Sequence, residues 1–281
     1  MNHAAPPLNS QPHLWLYAEE CILPEREEVH VWRADLNQGA SIVRALYEVL
    51  QADERLRADR FHFQQHRERF VVARGALRQI LGSYLGSAPE QIRFAYNQYG
   101  KPALAADAVG DDLLSFNVSH SEGIALYAIA RGRRVGLDIE HLREDFDALT
   151  LAERFFSPSE VATLSELPAE QQTVAFFNCW TRKEAYIKAL GEGLSHPLDR
   201  FSVSLAPGER AALLSTNDNP QEASRWSLVE LSPGDGYVAA LAVEGHTPPN
   251  VHYLQWLEKL SQNDENARAT PALREAINSQ R

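Results

Sequence analysis

The sequence predicts an α+β protein built from two similar α/β halves that meet near residue 135. Segments with strand and helix patterns follow the order strands, helices, strand pair, and a comparable order then begins again. Apolar residues make up 44% of the 281 positions and charged residues 23%, as is usual in globular proteins. Apolar runs such as 124–130 are much shorter than the roughly 18 residues that a membrane span requires.

The first half covers residues 14–135 and follows a proline-containing lead at 1–13 that we expect to be flexible. Strands are predicted where apolar residues alternate or cluster, and helices where they recur at helical spacing. The predicted elements are strands at 14–18 and 29–34, helices at 39–60 and 65–86, a turn at 97–102, and strands at 113–118 and 123–130 joined by a turn at 119–122.

The second half covers residues 136–245, and a polar C-terminal extension at 246–281 follows it, predicted beyond 258 as a weak helix or a disordered tail. One helix start is well defined, because Ser157 can act as N-cap with Pro158 in the first helical position and Glu160 three residues after the cap. The predicted elements are strands at 135–140, 201–205, 226–231 and 237–243, and helices at 147–156, 158–167 and 169–190.

The net charge of −11 argues against a general nucleic-acid binder, which needs a basic surface to neutralise phosphates. Residues 51–80 nevertheless form a local basic segment, which suits a small polyanion or an acidic partner, or is simply a solvated helix face. Its seven arginines are Arg55, Arg57, Arg60, Arg67, Arg69, Arg74 and Arg78.

Cysteine usage and the N-terminus both point to the cytoplasm. The two cysteines, Cys21 and Cys179, are too few for a disulfide framework, so we expect both to be reduced. The first 13 residues contain neither a basic cluster nor an apolar stretch, and therefore predict no secretory signal.

The strand at 135–140 carries a pair of carboxylates on one face. Since alternate side chains of a strand share a face, Asp138 and Glu140 point the same way, and Gly136 leaves that face open to a ligand. Such a pair can approach a hard cation such as Mg²⁺, which favours one or two carboxylates together with substrate phosphates. The alternative is an ordinary half-buried strand with an acidic outer face.

A third carboxylate, Glu184, borders the apolar stripe of the helix at 169–190. A partly buried carboxylate is costly unless it is paired or bound to a metal. Glu184 is therefore a candidate third metal ligand or general base, with Lys183 and Lys188 facing phosphate oxygens. The simpler alternative is a helix ion pair between Glu184 and Lys188, four residues apart.

Small polar side chains and one imidazole close the strand at 113–118. Asn117, Ser119 and His120 offer N–H and O–H groups that suit phosphate oxygens. No nucleophile elbow surrounds Ser119, so its neighbour His120 does not indicate a serine hydrolase. A surface histidine at a turn is the plain alternative.

Together these segments resemble the 4′-phosphopantetheinyl transferases, specifically the two-halved type that activates the carrier proteins of synthetases. Two stretches about forty residues apart carry the resemblance, Gly136–Glu140 and Trp180–Leu194, and the segments 99–102 and 116–121 also fit. The resemblance spans residues 14–245 and implies that each half is an antiparallel sheet packed with helices, with the active site in the cleft between them.

The resemblance also implies a reaction. A serine of an acyl or peptidyl carrier protein attacks the β-phosphate of coenzyme A, phosphopantetheine moves to the serine, and adenosine 3′,5′-bisphosphate leaves. Asp138, Glu140 and Glu184 would hold Mg²⁺ or Mn²⁺, with Glu184 as metal ligand first and proton acceptor second. The other implied contacts to coenzyme A come from Arg57, Arg60, Lys101, Asn117, Ser119, His120, Lys183 and Lys188, with Arg69 near Arg57 and Arg60.

The implied form is a monomer, because both halves already lie on one chain, and no nucleic acid or membrane is expected as a partner. Carrier proteins of fatty-acid, polyketide and nonribosomal-peptide synthesis all remain open. Two other functions stay open from the residues: a metal-dependent phosphoesterase, and a non-catalytic binder of carrier proteins or coenzyme A. The intact set Asp138, Glu140, Glu184 and Lys188 argues against the binder.

Overall fold

The structure is a computed structural model that describes residues 13–17, 22–105, 114–143, 145–191, 193, 196–217 and 219–257. Some sequence predictions lie outside these residues: those for the lead at 1–12, for Ala18, Cys21, Leu113, Glu192 and Leu194, and for the tail at 258–281.

The part of the chain up to residue 131 contains three α-helices and six strands among its described residues. These are β1 (Leu16–Tyr17), β2 (Glu28–Asp35), α1 (Ala40–Glu48), α2 (Ala52–Asp59), α3 (Gln64–Leu85), β3 (Phe94–Tyr96), β4 (Pro102–Leu104), β5 (Leu114–Ser121) and β6 (Ile124–Arg131).

The part from residue 135 onwards contains three further α-helices and six strands among its described residues. These are β7 (Val135–His141), α4 (Ala148–Phe155), α5 (Pro158–Glu166), α6 (Ala169–Leu190), β8 (Phe201–Val203), β9 (Leu213–Thr216), β10 (Trp226–Leu231), β11 (Tyr237–Glu244) and β12 (Asn250–Gln255).

Two larger sheets form the centre of the fold. The first has the strand order β1-β12-β2-β6-β5, with antiparallel pairing from β2 to β5 and parallel pairing of β12 with both β1 and β2. The second has the order β10-β11-β7 and is antiparallel throughout. Two short hairpins, β3-β4 and β8-β9, lie outside these sheets.

The two sheets pack face to face, and each is covered by helices on its other face. Along β2, Val29 and Val31 belong to the core between the sheets, whereas Trp32 and Ala34 belong to the core under α1 and α3. Along β11, Leu241 likewise faces the sheet interface and its neighbours face α6. This alternation, which follows from the strand period of two, produces four layers and confirms the predicted fold class.

Three differences from the sequence prediction concern local structure. The predicted helix at 39–60 is two helices, because Gln51 caps α2 in a capping box with Glu54. The hairpin β3-β4 and the strand β9 were not predicted. Residues 250–255, within the predicted C-terminal extension, form β12, which pairs with β2 of the first sheet. No helix among the described residues has the length and apolar run that a membrane span needs.

Candidate active site

The crossing of α6 over β7 brings the site together, and Gly136 permits it. A Cβ at Gly136 would overlap the carbonyl oxygen of Ala185 and the backbone nitrogen of Ala189. The helix backbone therefore rests directly on the strand, and the expectation that Gly136 leaves space for a ligand is wrong. The close approach instead sets Glu184 and Lys188, which flank this contact on α6, beside the carboxylates of β7.

Asp138 is the centre of the polar contacts at this crossing. Its side chain is buried, and its Oδ1 accepts a hydrogen bond of 2.9 Å from Ser119 Oγ and one of 2.5 Å from Lys188 Nζ. Lys188 Nζ also donates to Ser119 Oγ at 2.9 Å. One strand from each sheet and one helix thus meet at a single carboxylate oxygen.

Glu140 and Glu184 lie in the same electrostatic field as Asp138. Burial, and next the charge of Asp138, raises the pKa of both carboxyl groups above the ordinary glutamate value. Ser121 Oγ donates to Glu140 Oε2 at 3.1 Å, and Lys188 partly offsets the repulsion at both glutamates. Three like charges at a half-buried site require a cation beyond one lysine to be fully compensated.

Two oxygen atoms of this group have no partner among the described residues. Asp138 Oδ2 and Glu184 Oε1 are both buried and accept no hydrogen bond there. Unpaired carboxylate oxygens are costly to bury, and hard divalent cations such as Mg²⁺ take oxygen ligands of this kind. The donor set therefore fits Mg²⁺, although the ligand atoms of the three carboxylates do not all come within 4.8 Å of one another.

Family models and curated relatives indicate the same family for this chain. Residues 134–242 match the family model described as the 4′-phosphopantetheinyl transferase superfamily, and residues 31–131 match 4′-phosphopantetheinyl transferase, N-terminal. The chain is 45% identical to 4′-phosphopantetheinyl transferase HetI of Nostoc sp. over 83% of its own length and 94% of that relative. The chain belongs to the 4′-phosphopantetheinyl transferase superfamily.

Other relatives agree with this assignment. A putative 4′-phosphopantetheinyl transferase, slr0495 of Synechocystis sp., is 32% identical over 75% of this chain and 89% of its own. The 4′-phosphopantetheinyl transferase Sfp of Bacillus subtilis is 32% identical over 56% of this chain and 66% of its own. The predicted family and enzyme activity are thereby confirmed.

His120 and Arg57 lie within electrostatic range of each other, and His120 lies near Lys188 and Asp138 of this transferase. His120 is exposed on β5, and its pKa is lowered by partial burial, then by the charge of Lys188 and, more weakly, by that of Arg57. The guanidinium of Arg57 lies 5.3 Å from the ring centre of Phe70, and both Arg57 and the neighbouring Arg60 are exposed. No ion pair joins Arg57 or Arg60 to a carboxylate within the described part of the chain.

The remaining arginines of residues 51–80 are already paired. Arg74 and Arg78 both bind the buried carboxylate of Glu54, so they belong to the interior of the first half. Ion pairs of 3.0 Å join Arg67 to Asp59 and Arg69 to Glu122, and Arg55 pairs with Glu48. The predicted basic segment is therefore mostly a set of local ion pairs, with Arg57 and Arg60 as its exposed cations.

Lys183 does not face the site, contrary to the sequence prediction. Its side chain is fully buried, and its Nζ lies 2.8 Å from Glu160 Oε2 and donates to the carbonyl oxygens of Leu198 and Phe201. Glu160 is itself part of the predicted capping box at the start of α5 and accepts from the backbone N–H of Val203. Lys183 thus fastens α6 to α5 and β8.

Lys101 and Asn117 also have backbone partners in place of the predicted ligand. Lys101 Nζ donates to the carbonyl oxygens of Val135, Lys188 and Ala189, and so caps the C-terminal end of α6, where a cation is favourable. Asn117 Oδ1 accepts the backbone N–H of Leu137 at 2.8 Å. Both contacts tie the first half to the second and place α6 and β7 relative to β5.

The sequence analysis did not identify Ser121 as a hydrogen-bond partner of Glu140, and it did not predict an apolar groove beside the site. Ser121 binds Glu140 and also accepts the backbone N–H of His141, which completes a period-two row with Asn117 and Ser119 along β5. That spacing was a usable signal. An apolar groove begins at Glu140, and its lining residues come from the 143–180 region: Arg143, Phe146, Leu151, Phe155, Phe176, Phe177 and Trp180.

Proposed function

We propose that this enzyme transfers 4′-phosphopantetheine from coenzyme A to a serine of an acyl or peptidyl carrier protein, with Mg²⁺, releasing adenosine 3′,5′-bisphosphate. The serine Oγ forms a bond to the β-phosphorus, and the bond from that phosphorus to the bridging oxygen breaks. The serine proton is taken up at the site, and the electron pair leaves with the bisphosphate. The observation that carries the proposal is the pair of unpartnered oxygens on Asp138 and Glu184 beside Lys188.

Asp138, Glu140 and Glu184 would hold the magnesium ion, which supplies charge neutralisation to the diphosphate when bound. Phosphoryl transfer depends mainly on positioning and on stabilising charge, and this site contributes both. Lys188 adds a second positive charge next to Asp138. Ser119 holds the same carboxylate oxygen and fixes its orientation.

Glu184 is proposed as a metal ligand first and as the acceptor of the serine proton second. Without a metal ion, burial and the neighbouring Asp138 raise its pKa above that of an exposed glutamate, and a bound cation would act in the opposite direction. A general base whose pKa lies near the pH at which the enzyme works contributes about 10²–10⁴-fold to the rate.

The two sides of the carboxylate cluster suggest where donor and acceptor lie. Arg57 and Arg60 would offer positive charge, and His120 an imidazole N–H, to the nucleotide end of coenzyme A with its 3′-phosphate, on one side. The apolar groove starts at Glu140, and the attacking serine must approach opposite the leaving group. We therefore propose that the carrier protein docks at this groove, and that the enzyme acts as a monomer.

The test is mass spectrometry of candidate carrier proteins after incubation with the enzyme, coenzyme A and Mg²⁺. Carriers from fatty-acid, polyketide and nonribosomal-peptide synthesis are compared, each with its serine intact or changed to alanine. We expect a gain of one phosphopantetheine only on intact serine, and its loss with Asp138→Asn or Glu184→Gln but not with Glu153→Gln, an exposed carboxylate on α4.

Two results would contradict the proposal. Rapid cleavage of coenzyme A without any carrier protein would instead indicate a phosphoesterase. Tight binding of coenzyme A and carrier without transfer, at any divalent ion concentration, would indicate a non-catalytic binder.

A further inference from the structure

A second group of ligand side chains lies on the first sheet, across the parallel pair β2 and β12. Glu28 and His30 are two residues apart on β2 and therefore share a face of the sheet. His252 of β12 is the register partner of His30, so it projects from the same face on the adjacent strand. Two imidazoles and one carboxylate thus converge, although more than 200 residues separate His252 from Glu28 and His30 in the chain.

The distances in this group match those of a metal site. His252 Nε2 lies 3.2 Å from Glu28 Oε1, and His30 Nε2 lies 4.0 Å from Glu28 Oε2. One ligand atom from each residue falls within 4.8 Å of the other two, the only such group among the described residues. Ligands held ~2.0–2.2 Å from a tetrahedral ion are about 3.3–3.6 Å apart, a value between the two observed distances.

Outer contacts already orient two of the three side chains. The Tyr84 hydroxyl lies 2.6 Å from His30 Nδ1 and accepts the indole N–H of Trp32. Its oxygen has two lone pairs, so it can also accept an Nδ1–H bond from His30, which leaves the His30 Nε2 lone pair directed at the cluster. The backbone N–H of Glu25 donates to Glu28 Oε2. Metal-binding histidines are regularly held by a second hydrogen bond of this kind.

The exposure of these side chains is compatible with metal entry. The His30 side chain is only 13% exposed and forms the inner wall of the group. The His252 side chain is 43% exposed, which leaves an approach from solvent and room for a water ligand. The Nδ2 of exposed Asn250 lies 3.2 Å from the same His252 nitrogen, a contact that a bound ion would replace.

We propose that Glu28, His30 and His252 bind a divalent first-row transition metal ion, of which Zn²⁺ is the best match, at the seam between β2 and β12. Two imidazoles with one carboxylate suit zinc and its neighbours, whereas Mg²⁺ prefers all-oxygen sites. This site uses none of the carboxylates assigned to phosphopantetheine transfer.

Such an ion would fasten β12 to the first sheet. β12 follows the last strand of the second sheet and is held between two parallel neighbours. An ion shared by β2 and β12 joins two segments that are distant in sequence, and it binds the folded state only. We therefore expect it to stabilise this strand increasingly as the free ion concentration exceeds the dissociation constant.

The test is titration of the full-length protein with Co²⁺, followed by visible absorption, in excess Mg²⁺ so that oxygen-only sites are filled. The wild type should show the intense ligand-field bands of a four- or five-coordinate nitrogen-containing site at one equivalent. His252→Gln should weaken binding by more than the roughly 10–100-fold that loss of an outer-shell partner costs. His246→Gln, an exposed histidine outside the group, is the matched control and should behave as wild type.

Zn²⁺ should also slow amide hydrogen exchange of residues 250–255 in wild type and in His246→Gln, and not in His252→Gln. Because His30 contacts Tyr84 and its replacement risks misfolding, Glu28→Gln is the second variant, with the same expected loss. The proposal is overturned if wild type shows only weak octahedral bands, or if His252→Gln and Glu28→Gln bind Co²⁺ as tightly as wild type.

Discussion

Lys183 and Lys188 are five residues apart on α6, and their ammonium groups bind carboxylates on different sides of the helix. Lys188 Nζ lies 2.5 Å from Asp138 Oδ1 in the active site, and Lys183 Nζ lies 2.8 Å from Glu160 Oε2 in the interior of the second half. Five residues turn an α-helix through about 500°, so the two side chains leave the helix roughly 140° apart. The two lysines should therefore respond differently to the same substitution.

Lys183→Met should destabilise the fold by about 3–5 kcal/mol, because it leaves the buried carboxylate of Glu160 without its cation. The double variant with Glu160→Gln should recover part of this loss. Urea unfolding measures both. If Lys183→Met keeps wild-type stability and instead raises the KM for coenzyme A, the lysine faces the substrate after all.

Lys188→Met should lower kcat by about 10²–10³-fold, the effect of removing one group that stabilises transition-state charge. Its side chain is partly exposed, so the free energy of unfolding should change much less than in Lys183→Met. Steady-state kinetics together with urea unfolding separate these effects. Equal losses of stability in the two variants would contradict the assignment.

Glu184→Gln should abolish transfer and at the same time raise the melting temperature of the metal-free enzyme at pH 7. The pKa of Glu184 is raised in the folded state by burial and by Asp138, so the folded protein binds the proton more tightly than the unfolded chain. Stability of the metal-free wild type should therefore fall as pH rises from the ordinary glutamate pKa through the raised one.

The measurement is calorimetry of wild type and Glu184→Gln from pH 4 to pH 8, without metal and with Mg²⁺. Glu153→Gln is the control for an exposed carboxylate. Mg²⁺ should raise the melting temperature of wild type more than that of Glu184→Gln. A metal-free Glu184→Gln protein less stable than wild type at pH 7 would show that Glu184 is already compensated.

Gly136→Ala should separate α6 from β7, because the new Cβ meets helix backbone, which cannot move aside as a flexible side chain can. Overpacking typically costs about 1–3 kcal/mol, and a backbone clash belongs at the upper end of that range. The kcat of transfer should fall even in the variant protein that remains folded, since the carboxylates and Lys188 no longer align. Wild-type kcat in a folded Gly136→Ala protein would contradict this role.

Arg57→Ala should raise the KM for coenzyme A by about 10–100-fold, as hydrogen bonds to charged groups contribute ~1.5–3 kcal/mol. Arg67→Ala is the control, because Arg67 belongs to the same arginine-rich segment but is half-buried and pairs with Asp59. When the donor is coenzyme A without its 3′-phosphate, the KM of Arg57→Ala should be close to the KM of the wild type. An equal KM effect on both donors would place Arg57 away from that phosphate.

Sequence patterns were sufficient for the parts of the site that depend on short-range spacing. Asp138 and Glu140 share a strand face because they are two residues apart, and Glu184 and Lys188 share a helix face because they are four apart. The side that Lys183 takes could not be predicted, since its partner Glu160 lies on another helix. Lys101 was assigned to the ligand by the family resemblance, and nothing local shows that it caps the end of α6.

The missed strand β12 has a similar explanation. Its sequence, NVHYLQ, is short and polar at the ends, and it stands beyond the last strongly apolar strand of the second half. What makes it a strand is pairing with β2, more than 200 residues earlier, and no local pattern reports such a partner.

The position of β12 between β1 and β2 has a consequence for synthesis of the chain. The ribosome completes every other strand of the first sheet by residue 131, yet the backbone groups on one edge of β2 stay unpaired until residue 255 has emerged. During that interval the nascent sheet presents an open edge, which is the usual template for strand exchange between molecules. A chain cut after residue 245 would retain this open edge permanently, so such fragments should associate through it.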